Sequence, residues 1–546
     1  MSLIELYDFW FTHPHMWFNA TSEDDMIITD KFKHLHDMPP DYTELEILSH
    51  KENIAYIILY DQITRHIYRD NSEIIQEYLN KIIPIAQIFY HYNMNNITSQ
   101  EFAFVMLPFR HSKDYNSFHY VVKETWKRIN IDNISEKDKQ SYIRFLTATY
   151  ERYTRDIYDT DQQNIIHYKP NHKINFDMCD LSILDMRCIH YSNHIKQTYS
   201  DDLDMVIKHL DKTHTYILSL SGGVDSMVLS CILKRNNIKF VCVHISYQNR
   251  DECDDEIEIL KNWCDILDVH LYYRRINEIK RKECMDVGLR ELYESYTRDV
   301  RFNTYKLVGK ILGYDIPSNN LFKLCLNEGV DANVSNTFPK VFLGHNKDDR
   351  FENILTNISS QSHYDNLTGM EIVQVMSNIE FNRPLLNITK KEIYEYSKSN
   401  NIIHFPNSTP SWSQRGKIRD IVKPTLINWN PVIIDSFFNL SRELGMYTQF
   451  IKQTAQISID LIKKYGELKL NINNICFLES YWIFIFRDNN IWITTKSNQH
   501  FIAKLEYIRN KFDKIKLNEI ECINLGKTTQ IKWKKINLSE IVLNFN

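Results

Sequence analysis

Ser221-Gly222-Gly223-Val224-Asp225-Ser226 holds the first two of the chain's 12 glycines, and nowhere else do two glycines adjoin. Adjacent glycines let backbone N–H groups close on an anion with no Cβ in the way, and the serines add hydroxyl donors. A carboxylate repels phosphate, so Asp225 inside such a loop points to a Mg²⁺ that bridges it to pyrophosphate oxygens. The Walker pattern with its lysine is absent, which argues against transfer of a γ-phosphoryl group. A plain strand-to-helix turn would use one glycine and would not need Ser on both sides.

A second constellation is Gly344-His345-Asn346-Lys347-Asp348-Asp349-Arg350-Phe351-Glu352-Asn353. On a helix beginning near Asp348, Asp349 and Glu352 are three apart and share a face, with His345 at the entrance. One acid can hold Mg²⁺ while another takes a proton from an amine, and His345 can stabilise developing charge. The bland alternative is helix capping by the aspartates and a solvated Glu352.

These residues need strands and helices to hold them. Tyr216–Leu220, Lys239–Ile245, Val269–Tyr273 and Lys340–Leu343 are short apolar runs that predict strands. Between them Met227–Lys234, the face Ile257, Leu260, Cys264 and Leu267, and the long stretch Leu289–Leu312 predict helices. Strands alternating with helices predict an α/β, doubly wound parallel sheet over residues 206–430, with 313–339 as an insertion. Ahead of it, helical spacing of Tyr142, Leu146, Tyr150, Tyr153 and Ile157, and of Ile54, Ala55, Ile58, Leu59 and Ile67, predicts an all-α domain at 1–165. Residues 166–205 are expected to be a polar connector, and 431–546 a small α+β domain. Residues 447–546 carry 15 Lys and Arg against 9 Asp and Glu, among Tyr481, Trp482, Phe484, Phe486, Trp492 and Trp533. Such a mixture could track RNA phosphates and stack bases, or its rings could form a core.

At 546 residues with 43% hydrophobic and 25% charged residues, the composition excludes global disorder. A formal charge of −5 confines any nucleic-acid contact to local patches. The 10 cysteines include no C-x-x-C pair, which fits a reducing compartment. No apolar run approaches the ~18 residues of a membrane helix, and the first residues lack a basic signal region. A cytoplasmic protein with no membrane association is expected.

Ser-Gly-Gly-x-Asp-Ser after a strand resembles the PP-loop signature of the ATP-pyrophosphatase superfamily, whose members cleave ATP between the α- and β-phosphates and adenylate a carbonyl oxygen. The second constellation resembles the G-H-H-x-D-D-x-x-E-T motif of the tRNA(Ile)-lysidine synthases. Further segments follow in the family's order: His244 closing a strand, Arg298-Asp299-Val300-Arg301-Phe302, Arg383-Pro384-Leu385-Leu386, Thr389-Lys390-Lys391-Glu392-Ile393, Pro406-Asn407-Ser408-Thr409 and Arg415-Gly416-Lys417-Ile418-Arg419. The chain departs from the pattern at Asn346, Asn353, Pro406 and Thr409.

The resemblance, over about residues 212–430, implies ATP and Mg²⁺ as cofactors and tRNA and lysine as partners. It implies ATP contacts at Ser219, Ser221, Gly222, Gly223, Val224, Asp225, Ser226 and His244, and metal ligation by Asp225 and Asp349. Catalytic roles fall on Asp225, His345, Asp349, Glu352 and Arg301, and tRNA contacts on Arg415, Lys417 and Arg419. The implied reaction is lysine addition to an anticodon cytidine. Two alternatives stand beside it: another PP-loop adenylation such as tRNA thiolation, and a degenerate nucleotide- or RNA-binding platform.

The N-terminal segment is similar to a bacterial helical family of unknown function with a TPR-like fold. The likeness rests on Tyr7-Asp8-Phe9-Trp10-Phe11 with Trp17-Phe18, on Leu59 through Arg69, and on Leu107-Pro108-Phe109-Arg110-His111-Ser112. Asp61, Gln62, Arg65, Arg69 and His111 could line a polar groove or form a buried network that fixes helix packing.

Overall fold

The computed structural model describes residues 2–17, 20–37, 48–156, 161–171, 207, 210–314, 338–360, 367–406, 413–489, 491, 493–526 and 529–545. Most of the expected connector and of the 313–339 insertion, together with Ile157, Asn407, Ser408, Thr409 and Trp492, lie outside the described residues.

The N-terminal helices are α1 (Leu3–Thr12), α2 (Ser22–Asp37), α3 (His50–Ile58), α4 (Ser72–Asn93), α5 (Ser99–His111), α6 (Tyr115–Ile129) and α7 (Glu136–Asp156). Ser2 with Glu5, Ser49 with Glu52 and Thr98 with Glu101 form reciprocal capping boxes that start α1, α3 and α5. After α3 the chain widens into a π-helical turn, Leu59–Ile63, which turns Asp61 and Gln62 into the interior.

The strands of the main sheet are β1 (Ile165–Tyr168), β2 (Thr215–Ser219), β3 (Lys239–Ser246), β4 (Leu271–Arg275), β5 (Lys340–Phe342), β6 (Val373–Met376) and β7 (Ile379–Asn382), in the order β1-β4-β3-β2-β5-β7-β6. β2 runs parallel to β3 and to β5, and β5 parallel to β7. The edges are antiparallel, β1 on β4 and β6 on β7. This is the expected α/β sheet, with its central strands close to the apolar runs that predict them. Helices α8 (Val224–Arg235), α9 (Cys253–Leu267), α10 (Arg290–Ile311), α11 (Lys347–Ser359) and α12 (Lys390–Ser399) alternate with the strands.

The chain divides into two compact units. The first comprises Met1–Lys169, His244–Lys261 and His270–Val308; the second comprises Pro170–Val243, Asn262–Val269 and Gly309–Asn546. In the first, the end of the expected all-α domain and the start of the expected polar connector at 166–205 are corrected, because residues 165–168 form a strand paired to β4 from Ile165↔Arg274 to Tyr168↔Leu271. Arg274, 1% exposed, joins Asp161 and Glu278 by ion pairs of 3.1 and 2.7 Å. Tyr115 and Tyr296 donate to the Glu278 carboxylate, and Tyr150 donates to its carbonyl at 2.6 Å. Phe118 stacks on Tyr153 at 3.8 Å, and Tyr150 meets Tyr296 edge-on at 4.8 Å. The helices α6 and α7 therefore share one core with β4 and α10.

In the second unit α13 (Gln414–Lys417), a π-helical turn at Ile418–Val422 and α14 (Lys423–Trp429) lead into α15 (Ile433–Tyr465), which ends at Gly466 with φ of +70°. Beyond it β8 (Glu467–Asn471), α16 (Glu479–Asp488), α17 (Thr495–Lys511), β9 (Ile520–Asn524), β10 (Gln530–Lys535) and β11 (Glu540–Asn544) form the expected small α+β fold, with the antiparallel sheet order β8-β11-β10-β9. Tyr481, Trp482, Phe484, Phe486 and Trp533 are all buried in its core. The core reading holds for these five rings, and the base-stacking one is corrected, because their faces are already covered. Among the described residues no helix is long and apolar enough to cross a membrane.

Candidate active site

The glycine loop joins β2 to α8 within the second unit, so the backbone leaves a parallel strand and turns at once into a helix N-terminus. Gly222 takes a φ of +78°, which a side chain disfavours, and Phe405 N–H donates to its carbonyl at 2.9 Å. Gly223 caps α8 without a side-chain hydrogen bond. Ser226 Oγ accepts from Ser221 N–H at 3.2 Å and donates to the Gly223 carbonyl at 3.0 Å, and Ser221 Oγ lies 3.1 Å from it. The two serines thus brace the loop. Ser219 ends β2 and Val224 is buried at the start of α8.

The second constellation meets this loop from β5. A Cβ on Gly344 would stand 3.0 Å from Ser226 N and 3.1 Å from Asp225 Cβ, so glycine permits the close approach. Asn346 then caps α11: its Oδ1 accepts from the Asp348 and Asp349 N–H groups, and its own N–H donates to Asp349 Oδ2 at 3.1 Å. Its Nδ2 donates to Asp225 Oδ1 at 3.0 Å. Asn346, where the resemblance has histidine, therefore ties the acidic helix to the glycine loop.

Charge in the site is tightly arranged. Lys390 Nζ, at the start of α12, contacts Asp225 Oδ2 at 2.6 Å. Burial pushes the Asp225 carboxyl up, Lys390 opposes this, and the like charge of Asp349 adds to it. Two carboxylates that repel each other beside a phosphate-type loop fit Mg²⁺, which takes one or two protein carboxylates and leaves its other positions to water and phosphate. Among the described residues no group of three or more His, Cys, Asp or Glu is arranged to hold a metal ion.

Glu352, 1% exposed, receives Arg419 through Nε and Nη2, both 2.8 Å from Oε1. Its Oε2 is buried with no hydrogen-bond partner among the described residues. Burial raises its carboxyl pKa against the pull of Arg419, and Asp349 raises it further. Asp348 is turned away to Lys423 and to the Lys390 N–H. Arg383 Nε donates to His345 Nδ1 at 3.2 Å. A guanidinium only donates, so the His345 ring is neutral with its proton on Nε2.

Asp225, His345, Asp349, Glu352 and the loop residues are thus gathered in the second unit. His244, buried on β3, and Arg301, on α10 beside Tyr247, belong to the first unit. Of the three basic residues expected at tRNA phosphates, Arg415 and Lys417 are exposed, whereas Arg419 is held by Glu352. Sequence reasoning assigns no role to Lys390, Arg383 or Phe405. The first two lie in the R-P-L-L and T-K-K-E-I segments, but their partners are 165 and 38 residues away.

Lys390→Met removes the cation that opposes the raised Asp225 pKa. The acid limb of the pH–rate profile is expected to move to higher pH, with little change on the alkaline side. A profile whose acid limb stays in place would separate Lys390 from Asp225 ionisation.

Residues 190–313 and 331–426 match the PP-loop domain family. Residues 6–172 match the family described as bacterial protein of unknown function (DUF924). The chain is similar to the tRNA(Ile)-lysidine synthase of Chlamydia muridarum, with 27% identity over 41% of this chain and 61% of that protein. It is likewise similar to the tRNA(Ile)-lysidine synthase of Chlamydia trachomatis serovar D, with 28% identity over 62% of this chain and 96% of that one. A solved structure, the U34-tRNA thiolase NcsA from Methanococcus maripaludis with its [4Fe-4S] cluster, aligns with a TM-score of 0.30 and 17% identity over 45% of this chain and 78% of that chain.

Proposed function

We propose, from the match of residues 190–313 and 331–426 to the PP-loop domain family, that the chain is an ATP-dependent, ligase-type enzyme that modifies tRNA in the cytoplasm. The finer reading is adenylation of an anticodon cytidine followed by addition of lysine. The observation that carries it is the Asn346–Asp225 hydrogen bond, which joins a phosphate-type loop to a helix bearing Asp349 and the partly unpaired Glu352.

In this reading the N–H groups of Gly222 to Ser226 and the α8 N-terminus bind the ATP phosphates. Asp225 and Asp349 would hold Mg²⁺, which supplies charge neutralisation on the phosphate oxygens. The C2 oxygen of cytidine attacks the α-phosphorus and pyrophosphate leaves. The lysine amine then attacks C2, and AMP departs with the oxygen. Glu352 Oε2, buried and without a donor, takes the proton that the amine sheds; Asp349 is three residues away on the same face. His345 presents its Nε2 proton to oxygen that gains charge. By resemblance Arg301 serves the lysine site or the developing charge, and His244 serves ATP. Arg415 and Lys417 offer exposed charge to tRNA phosphates, while Arg419 orients Glu352.

The test is release of pyrophosphate and AMP from ATP with a tRNA bearing a CAU anticodon, with and without lysine, beside the Asp225→Ala protein. Lysine-dependent AMP formation with lysine incorporated into tRNA is expected. Turnover that needs tRNA and ignores lysine would keep adenylation and reject lysine as the nucleophile. No turnover above Asp225→Ala would reject the enzyme reading in favour of a binding platform.

A further inference from the structure

The N-terminal helices hold a polar cavity of about 430 Å³, lined in part by Arg65, Arg69, Arg110, Arg152, His66 and His111. Among its described lining residues there is no aspartate or glutamate. Two carboxylates contact four of these side chains. Asp61, in the π-helical turn, contacts Arg65 at 3.0 Å and His111 at 2.8 Å. Asp25 contacts Arg69 at 2.7 Å and His66 at 2.8 Å. Burial would push the Asp61 carboxyl up, but His111 and Arg65 hold it well below the ordinary range. Burial pulls His111 down to about 4, so it is neutral and donates to Asp61 through Nδ1. The expected buried network therefore exists, and Gln62, Arg65, Arg69 and His111 also line the cavity.

Arg110 is the residue that packing does not explain. Its Nε is buried with no hydrogen-bond partner among the described residues, and its guanidinium lies 5.1 Å from the Phe145 ring. Burial and the neighbouring Arg152 pull it down to about 10 against the opposing charge of Asp61. Arg110 is a half-buried cation that shares the Asp61 charge with Arg65 and His111, and a protein keeps such an under-compensated cation most readily where a ligand supplies a further anion. Guanidinium forks match phosphate oxygens, and a phosphate monoester is close to a dianion at neutral pH. The cavity is larger than a bare phosphate, and Trp17 and Leu107 give part of its wall an apolar character.

We propose that this cavity binds a small phosphate monoester, its phosphate among Arg65, Arg69, Arg110 and Arg152 and its organic part against Trp17 and Leu107. The inference is independent of the PP-loop chemistry and gives the N-terminal helices a ligand.

The test titrates the full chain with phenyl phosphate and with inorganic phosphate by calorimetry, and follows Tm with and without each. Phenyl phosphate is expected to bind more tightly than inorganic phosphate, and Arg110→Met to weaken it by about 10- to 100-fold. Arg110→Met should also raise Tm without ligand, because it removes a half-buried charge crowded by Arg152, while abolishing the ligand-induced rise in Tm. A lower Tm with unchanged affinity would overturn the proposal and make Arg110 structural. Hydrogen exchange of the unmutated chain is the second measurement, and it stands even if the variant fails to fold. Phenyl phosphate should slow exchange in Ser99–His111; unchanged exchange there under saturation would overturn the site.

Discussion

Gly222→Ala is expected to lower ATP-dependent pyrophosphate release by about 10²- to 10³-fold, the scale of losing a preorganised anion donor. A Cβ at this position would stand 2.0 Å from Phe405 Cε2 and 2.2 Å from Cδ2, on a backbone whose φ of +78° already disfavours alanine. Phe405 cannot simply retreat, since its N–H is bonded to the Gly222 carbonyl and its backbone bridges Gly223. The peptide must turn, and its N–H then leaves the loop. Gly223→Ala is the matched comparison. There the nearest atom to the added Cβ is Ser221 Oγ at 3.5 Å, and the residue has ordinary N-cap angles, so a far smaller effect is expected. ATP affinity and turnover of the two variants, with circular dichroism to establish folding, decide the matter. Equal losses would mean that the geometry at Gly222 is not what holds the loop.

Arg419→Met is expected to destabilise the protein by about 3–5 kcal/mol at neutral pH, because it strands a carboxylate that is 1% exposed and already lacks a partner on Oε2. The sign of the pH dependence follows from the Glu352 pKa. Burial raises it in the folded state, and loss of Arg419 raises it further. An acid with a raised folded pKa favours folding in its protonated form. The deficit relative to the unmutated chain is therefore complete at neutral pH and above. It shrinks as pH falls through the raised pKa toward the ordinary glutamate range. Urea denaturation at several pH values, with Glu352→Gln added to Arg419→Met, measures this. A deficit that neither acid nor Glu352→Gln relieves would place its origin in lost packing.

Much of the sheet is written in short-range pattern. β2, β3, β4 and β5 lie within a few residues of apolar runs, because parallel strands covered on both faces read as continuous hydrophobic stretches. The β6–β7 hairpin is missed for the opposite reason. Val373, Val375 and Met376 are exposed, and the turn uses Ser377 and Asn378 at φ of 52° and 61°, with no glycine to announce it. In the site, the glycine loop and the Asp349–Glu352 face follow from residue type and spacing. The Asn346–Asp225 and Lys390–Asp225 contacts do not, since they join residues 121 and 165 positions apart and depend on strand order. The C-terminal rings show a further limit: composition alone is the same for a base-stacking surface and for a core, and only topology separates them.

The interleaving of the first unit bears on how the chain is made. Its core needs Arg274, Glu278 and Tyr296 as much as Tyr115 and Tyr150, yet the N-terminal helices end more than a hundred residues before those partners are synthesised. At a translation rate of ~5–20 residues per second, helices α6 and α7 wait on the order of ten seconds with aromatic faces uncovered. During that interval Phe118, Tyr150 and Tyr153 are hydrophobic surface on a nascent chain. An abundant chaperone supply at the ribosome should therefore raise the soluble yield of this protein more than slower elongation would.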